Sequence, residues 1–141
     1  MRGTYVLLIH VPYEIQLSIG ALGDLELKSG YYAYVGSALG GLEARVQRHV
    51  GENKKIHWHI DHLLTRSRVI DVIQGETNER KECAVAEEIA KHLNPIAGFG
   101  SSDCTCHSHL FYSPDFNELR KIVLTSFKEC GIESMKGVEV G

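Results

Sequence analysis

The sequence predicts an α+β fold: a small, mainly antiparallel sheet flanked by helices. Strand-forming segments crowd the first third of the chain, and segments with helical periodicity begin only at residue 42. After that point strands and helices mix without strict βαβ alternation. At 141 residues the chain has the size of one domain, expected to span residues 1–141.

The elements follow in order. Thr4 to Val11 is β-branched and aromatic, and Pro12 stops it. Glu14 to Ile19 and Asp24 to Lys28 alternate apolar and polar residues, as half-buried strands do, with Gly20 and Gly23 between them. Ser29-Gly30 signals a turn before Tyr31 to Val35, so the opening third reads as a β-meander. In Leu42 to Val50 the apolar residues recur at helical spacing. Ile56 to Leu64 predicts a second helix with Ile56, Ile60, Leu63 and Leu64 toward the core. Arg68 to Gln74 predicts a strand. Glu79 to Leu93 predicts a helix with Ala84, Ala86, Ile89, Ala90 and Leu93 on its apolar side, ended by Asn94-Pro95. His109 to Tyr112 predicts a short strand. Pro114 opens a last helix, Asp115 to Cys130, and a frayed tail is expected after it.

Composition narrows the function. An apolar fraction of 43% and a charged fraction of 23% suit a globular domain. No apolar run approaches the ~18–20 residues that cross a bilayer, and the start lacks the apolar core of a signal peptide. The expectation is therefore a cytoplasmic protein with no membrane partner and four reduced cysteines. The net charge of −3 argues against general nucleic-acid binding, but the charge is unevenly distributed. Ala44 to Val69 holds six cations and two acids, and four of the eight histidines, on an otherwise acidic chain. Such a basic stretch is either a solvated helical face or a phosphate-attracting patch.

The densest chemistry lies in Gly30 to His49, GYYAYVGSALGGLEARVQRH. A strand ends in Tyr34-Val35-Gly36, a turn of small residues follows, and a helix carries Arg45 and His49 one turn apart on one face. The helix start after Gly40-Gly41 offers free amide donors that suit a phosphate. Phenol, guanidinium and imidazole together supply a proton acceptor and a fixed cation, two of the needs of phosphodiester cleavage. A second cluster, Lys54-Lys55-Ile56-His57-Trp58-His59-Ile60-Asp61-His62, admits three readings. Lysines on phosphates with Trp58 on a base would make a nucleic-acid contact; His57 and Asp61 would suit a metal; Trp58 in the core with hydrogen-bonded histidines would be purely structural. A third, Ser101 to His109, brings together Cys104, Cys106, His107 and His109, all zinc-ligand types. Its spacing is too tight for a standard zinc knuckle, so loop packing, or lining of a site by Ser102, Asp103 and His109, stands beside zinc.

The Tyr34-Val35-Gly36, Arg45, His49 pattern resembles the second half of the GIY-YIG nuclease motif, with Gly3-Thr4-Tyr5 in the place of the first half. More closely, YVGSALGGLEARVQRH, KKIHWHIDHLL, the Glu82-Cys83 pair and GFGSSDCTCHSHLF resemble domain-of-unknown-function family 123, whose members are sometimes fused to endonuclease III. The resemblance implies a GIY-YIG-like core in which Glu14 to Lys28 is an inserted β-ribbon. It implies a metal-dependent endonuclease acting on DNA, in a DNA-repair setting with a functional link to endonuclease III-type enzymes. By position, Tyr5, Tyr34, Arg45 and His49 become catalytic, and Glu82 the ligand of one Mg²⁺ or Mn²⁺, with Glu79 and Glu87 as fallbacks. Arg48, Lys54, Lys55, His57, Trp58 and His59 become the nucleic-acid-binding set. The alternatives are a non-catalytic nucleic-acid-binding module on the same scaffold and a zinc-stabilised interaction domain.

Overall fold

The structure is a computed structural model that describes residues 2–38, 40–51, 58–100 and 108–136. Its centre is a six-stranded sheet in the order β6-β7-β4-β1-β5-β8, with every pairing antiparallel. The strands are β1 (Gly3–Val11), β4 (Gly30–Ala38), β5 (Arg68–Glu76), β6 (Asn94–Pro95), β7 (Leu110–Ser113) and β8 (Met135–Lys136). β2 (Ile15–Ile19) and β3 (Gly23–Leu27), joined by a 3-10 turn, form a separate two-stranded ribbon. The helices are α1 (Leu42–Val50), α2 (His59–Leu64), α3 (Glu82–Ala90) and α4 (Phe116–Glu129). None of the described helices is long and apolar enough to cross a membrane.

The α+β class and the inserted ribbon are as expected, but the opening third is not a meander. β1 pairs directly with β4, and the ribbon leaves the sheet between them. The ribbon alternates buried Ile15, Leu17 and Ile19 with exposed Gln16 and Ser18, so it lays one apolar side on the core and needs no place in the sheet.

β1 is apolar at nearly every position because both sheet faces are covered. Tyr5, Leu7, Ile9 and Val11 face a core completed by the ribbon, α1 and α2 through Leu42, Val46, Ile60 and Leu63. Val6 and Leu8 face the opposite core, completed by α3 and α4 through Val85, Ala86, Ile89, Leu119, Val123 and Phe127. α3 differs from expectation in extent and face. It runs Glu82–Ala90 rather than Glu79 to Leu93, and Ala84 and Ala90 are exposed while Val85 is buried. Alanine is small enough to sit on either side of a helix, which blurs the pattern. The last helix starts one residue later than expected: Asp115 is its N-cap, and its carboxylate accepts from the Glu118 N–H at 3.1 Å. β6 and β8 were not anticipated; two-residue strands carry no periodicity. Ile56 lies outside the described residues.

Candidate functional site

Antiparallel register decides which side chains meet. Tyr5 lies opposite Gly36, and Leu7 opposite Tyr34, so both tyrosines project from the face that α1 and α2 cover. Tyr5 leans across to Gly36: a Cβ built on that glycine would stand 2.3 Å from the phenol Cζ and Oη. Only a residue without Cβ admits the ring there. α1 begins just beyond β4, and its buried side, Leu42, Val46 and His49, faces these rings. The Tyr5 hydroxyl is hydrogen-bonded to His49 Nε2 at 2.8 Å. Tyr34 stands edge-on to His49, with ring centres 6.3 Å apart, and edge-on to Phe99.

Arg45, one turn before His49, donates to the Ser37 carbonyl at 3.3 Å. Its guanidinium carbon lies 4.6 Å from the centre of the Trp58 ring. Among the described residues it forms no ion pair with a carboxylate. Arg48 is placed differently. It grips Asp61, which is 0% exposed, through two bonds of 2.9 and 3.1 Å, and it too lies over Trp58, at 4.3 Å. Asp61 also accepts from the Trp58 backbone N–H at 2.8 Å.

Glu82 opens α3. Its side chain is 12% exposed, and its nearest described cation is Arg80 at 3.6 Å. Burial raises both phenols above their ordinary range. At Tyr5 the Arg45 guanidinium pulls part of the way back and Glu82 pushes further up. At Tyr34 burial is again the largest cause, followed by Tyr5, Glu82 and Asp61, with Arg45 opposing. Arg45 and Glu82 thus act on the same two tyrosines. Glu79 and Glu87 are exposed.

The remaining expected residues divide. Lys54, Lys55 and His57 lie outside the described residues, as do Ser102, Asp103, Cys104, Cys106 and His107. His59 uses Nδ1 to accept from the Gly100 N–H at 2.9 Å and packs edge-on to Phe99. Gly100, at φ +71°, lets the chain pass against the Tyr34 ring, to which its Cβ would come within 3.0 Å. His109 is buried, with Nε2 3.8 Å from Cys83 Sγ; burial lowers its pKa while Glu82 opposes. Cys83 is disulfide-bonded and Cys130 is a free thiol, so the expectation of four reduced cysteines is corrected. Spacing along a sequence cannot show which sulfurs a fold brings together. Asp61 is engaged by Arg48 rather than offered to a metal, and among the described residues no group of three or more His, Cys, Asp or Glu is placed to hold one. Sequence reasoning missed this Arg48–Asp61 pairing: the partners are thirteen positions apart on different helices, and no local signal joins them.

These residues all fall within one family match. The profile of the family described as "Domain of unknown function DUF123" covers residues 4–132. The chain belongs to the DUF123 family. No curated protein matches this DUF123 chain, and no solved structure does. The matched region takes in Tyr5, Tyr34, Arg45, His49, Trp58, Asp61 and Glu82.

Proposed function

We propose that this DUF123 protein is a GIY-YIG-type endonuclease that hydrolyses a DNA phosphodiester with the help of Mg²⁺ or Mn²⁺. The observation that carries the reading is the 2.8 Å Tyr5–His49 hydrogen bond on the face that also bears Arg45, which has no carboxylate partner among the described residues; Glu82 is joined to it only as a charge that pushes both phenols up. An unneutralised guanidinium beside two phenols and an imidazole suits an anion whose charge grows during attack.

Glu82 suits a hard cation held by one protein carboxylate, with water and phosphate oxygens filling the octahedron. The described donor set does not suit an ion caged by protein alone. Bound there, the cation would supply Lewis-acid stabilisation of the phosphate. The protein's own part follows from burial. A free phenolate at Tyr5 or Tyr34 is disfavoured, so neither ring serves as an independent base. Tyr5 instead hands its proton to His49 Nε2 across the 2.8 Å bond as it receives one, and His49 is the proton sink. Arg45 binds the phosphate. DNA repair is the proposed setting, supported by the resemblance to chains fused to endonuclease III.

The test uses plasmid, nicked and flapped DNA with Mg²⁺ or Mn²⁺. Wild type is expected to cut, and Arg45→Ala and Glu82→Gln to lose about 10²-fold or more, the loss typical of removing one transition-state donor. Cutting by wild type no faster than by the Arg45→Ala, Glu82→Ala double variant overturns the reading. A second reading, a nucleic-acid-binding module without cleavage, is favoured by one observation: Tyr5 and His49 are each only 2% exposed. It requires salt-sensitive binding without product.

A further inference from the structure

Arg45 and Arg48 sit three positions apart on one helix and share one indole, yet their surroundings are opposite. The Arg48 charge is matched by the fully buried carboxylate of Asp61. Arg45 lies over the same ring with no carboxylate on it among the described residues. A guanidinium held over a π-face keeps its charge and leaves its in-plane N–H donors available, whereas one held by a carboxylate gives up both. Trp58 is itself fixed at two points, its backbone and its ring. Asp61 takes the Trp58 backbone N–H, and the Arg48 that Asp61 grips lies over the ring. His49 adds a tilted contact at 5.8 Å.

We propose that Trp58 and Asp61 form a mount that positions Arg45: Asp61 fixes the Trp58 backbone directly and its indole through Arg48, and the indole holds the Arg45 guanidinium aimed and un-neutralised for an anionic phosphate. The proposal rests on reading Arg45 as the phosphate contact. It makes Trp58 a positioning residue, and its ring is occupied by guanidinium groups rather than offered to a base.

The test joins a readout that does not depend on catalysis to one that does. Side-chain NMR of Arg45 and Arg48 in the wild type should show upfield ring-current shifts at the protons nearest the guanidinium carbon. Trp58 is the only tryptophan in the chain, and loss of the shifts on replacing it assigns them to its ring rather than to Tyr5 or His49. Trp58→Leu should abolish them at both arginines. Asp61→Asn should alter the Arg45 shift although Asp61 has no contact with Arg45 among those described; if that variant does not fold, Arg48→Lys, which keeps the charge but loses the two-pronged grip, should do the same. In kinetics on nicked DNA, Trp58→Leu should lower kcat/KM by about 3- to 30-fold, the range of a cation–π contact from exposed to desolvated. Trp58→Phe should recover most of that loss. An unshifted Arg45 in the wild type overturns the mount, as does equal impairment by Leu and Phe, which would mean that side-chain volume alone matters. If the wild type proves inactive, the proposed function fails, and the NMR shifts still decide the mount.

Discussion

Replacing Gly36 with alanine should separate steric from conformational roles for this glycine. Its backbone is not in the left-handed region, so an added methyl carries no torsional penalty. The three atoms nearest to that methyl all belong to Tyr5, at 2.3, 2.3 and 2.8 Å. Tyr5 is 2% exposed and cannot swing into solvent, so the ring must move within a packed core. Overpacking of this kind costs about 1–3 kcal/mol. Displacing the hydroxyl from His49 Nε2 adds about 0.5–1.5 kcal/mol for a lost hydrogen bond. The expected destabilisation is about 2–4 kcal/mol. For a chain of 141 residues that lowers Tm by roughly 7–14 °C, at an unfolding entropy near 2.1 cal/mol/K per residue. Urea unfolding of wild type, Gly36→Ala, Tyr5→Leu and the double variant gives the cycle. With the ring shortened, most of the alanine penalty should vanish, leaving a coupling of at least about 1 kcal/mol. The same penalty in both backgrounds, within about 0.5 kcal/mol, refutes the reasoning.

Further outcomes are expected. Asp61→Ala removes the two-pronged acceptor of Arg48 and the acceptor for the Trp58 N–H, and should destabilise by about 3–5 kcal/mol; Arg120→Ala, which breaks a pair with Asp71 whose side chains are 47% and 34% exposed, should cost at most about 1 kcal/mol in the same denaturation assay. Acid should destabilise the fold through His59 and His109, whose folded pKa values are lowered by burial. Below the unfolded value near 6.5 the unfolded chain takes up the proton first, so stability is full above that pH and falls as the pH drops toward the folded values. Unfolding curves between pH 7.5 and about 5 should show this, with a shallower slope in His59→Gln.

Much of the architecture was readable because periodicity reports burial. Leu42, Val46 and His49 mark the inner side of α1, and the uninterrupted apolar run of β1 marks a strand covered on both faces. The grouping of Tyr34, Arg45 and His49 was readable from their spacing around one strand–turn–helix, whereas Tyr5 joined it only through a motif resemblance; its place depends on the Tyr5–Gly36 register, which strand propensity does not encode. For Trp58 and Asp61 a stacking platform, a metal ligand and plain packing all stood open, because each side chain has several uses in isolation. Their actual partners, Arg45 and Arg48, come from another helix. The α3 boundary was misplaced because Glu79 is an acceptable first-turn residue, yet residues 77–81 form the turn before the helix.

The central position of β1 has a cost during synthesis. Gly3 pairs with Glu76 and His10 with Arg68, so one side of the most apolar strand has no partner until β5 has been made. At ~5–20 residues per second a ribosome leaves that edge uncovered for several seconds. Non-local pairing of this kind also slows folding once the chain is complete. TYVLLIHV, uncharged and free of proline, is therefore the segment through which a nascent or heat-stressed molecule would be expected to join another copy, well before the finished protein shows any such tendency.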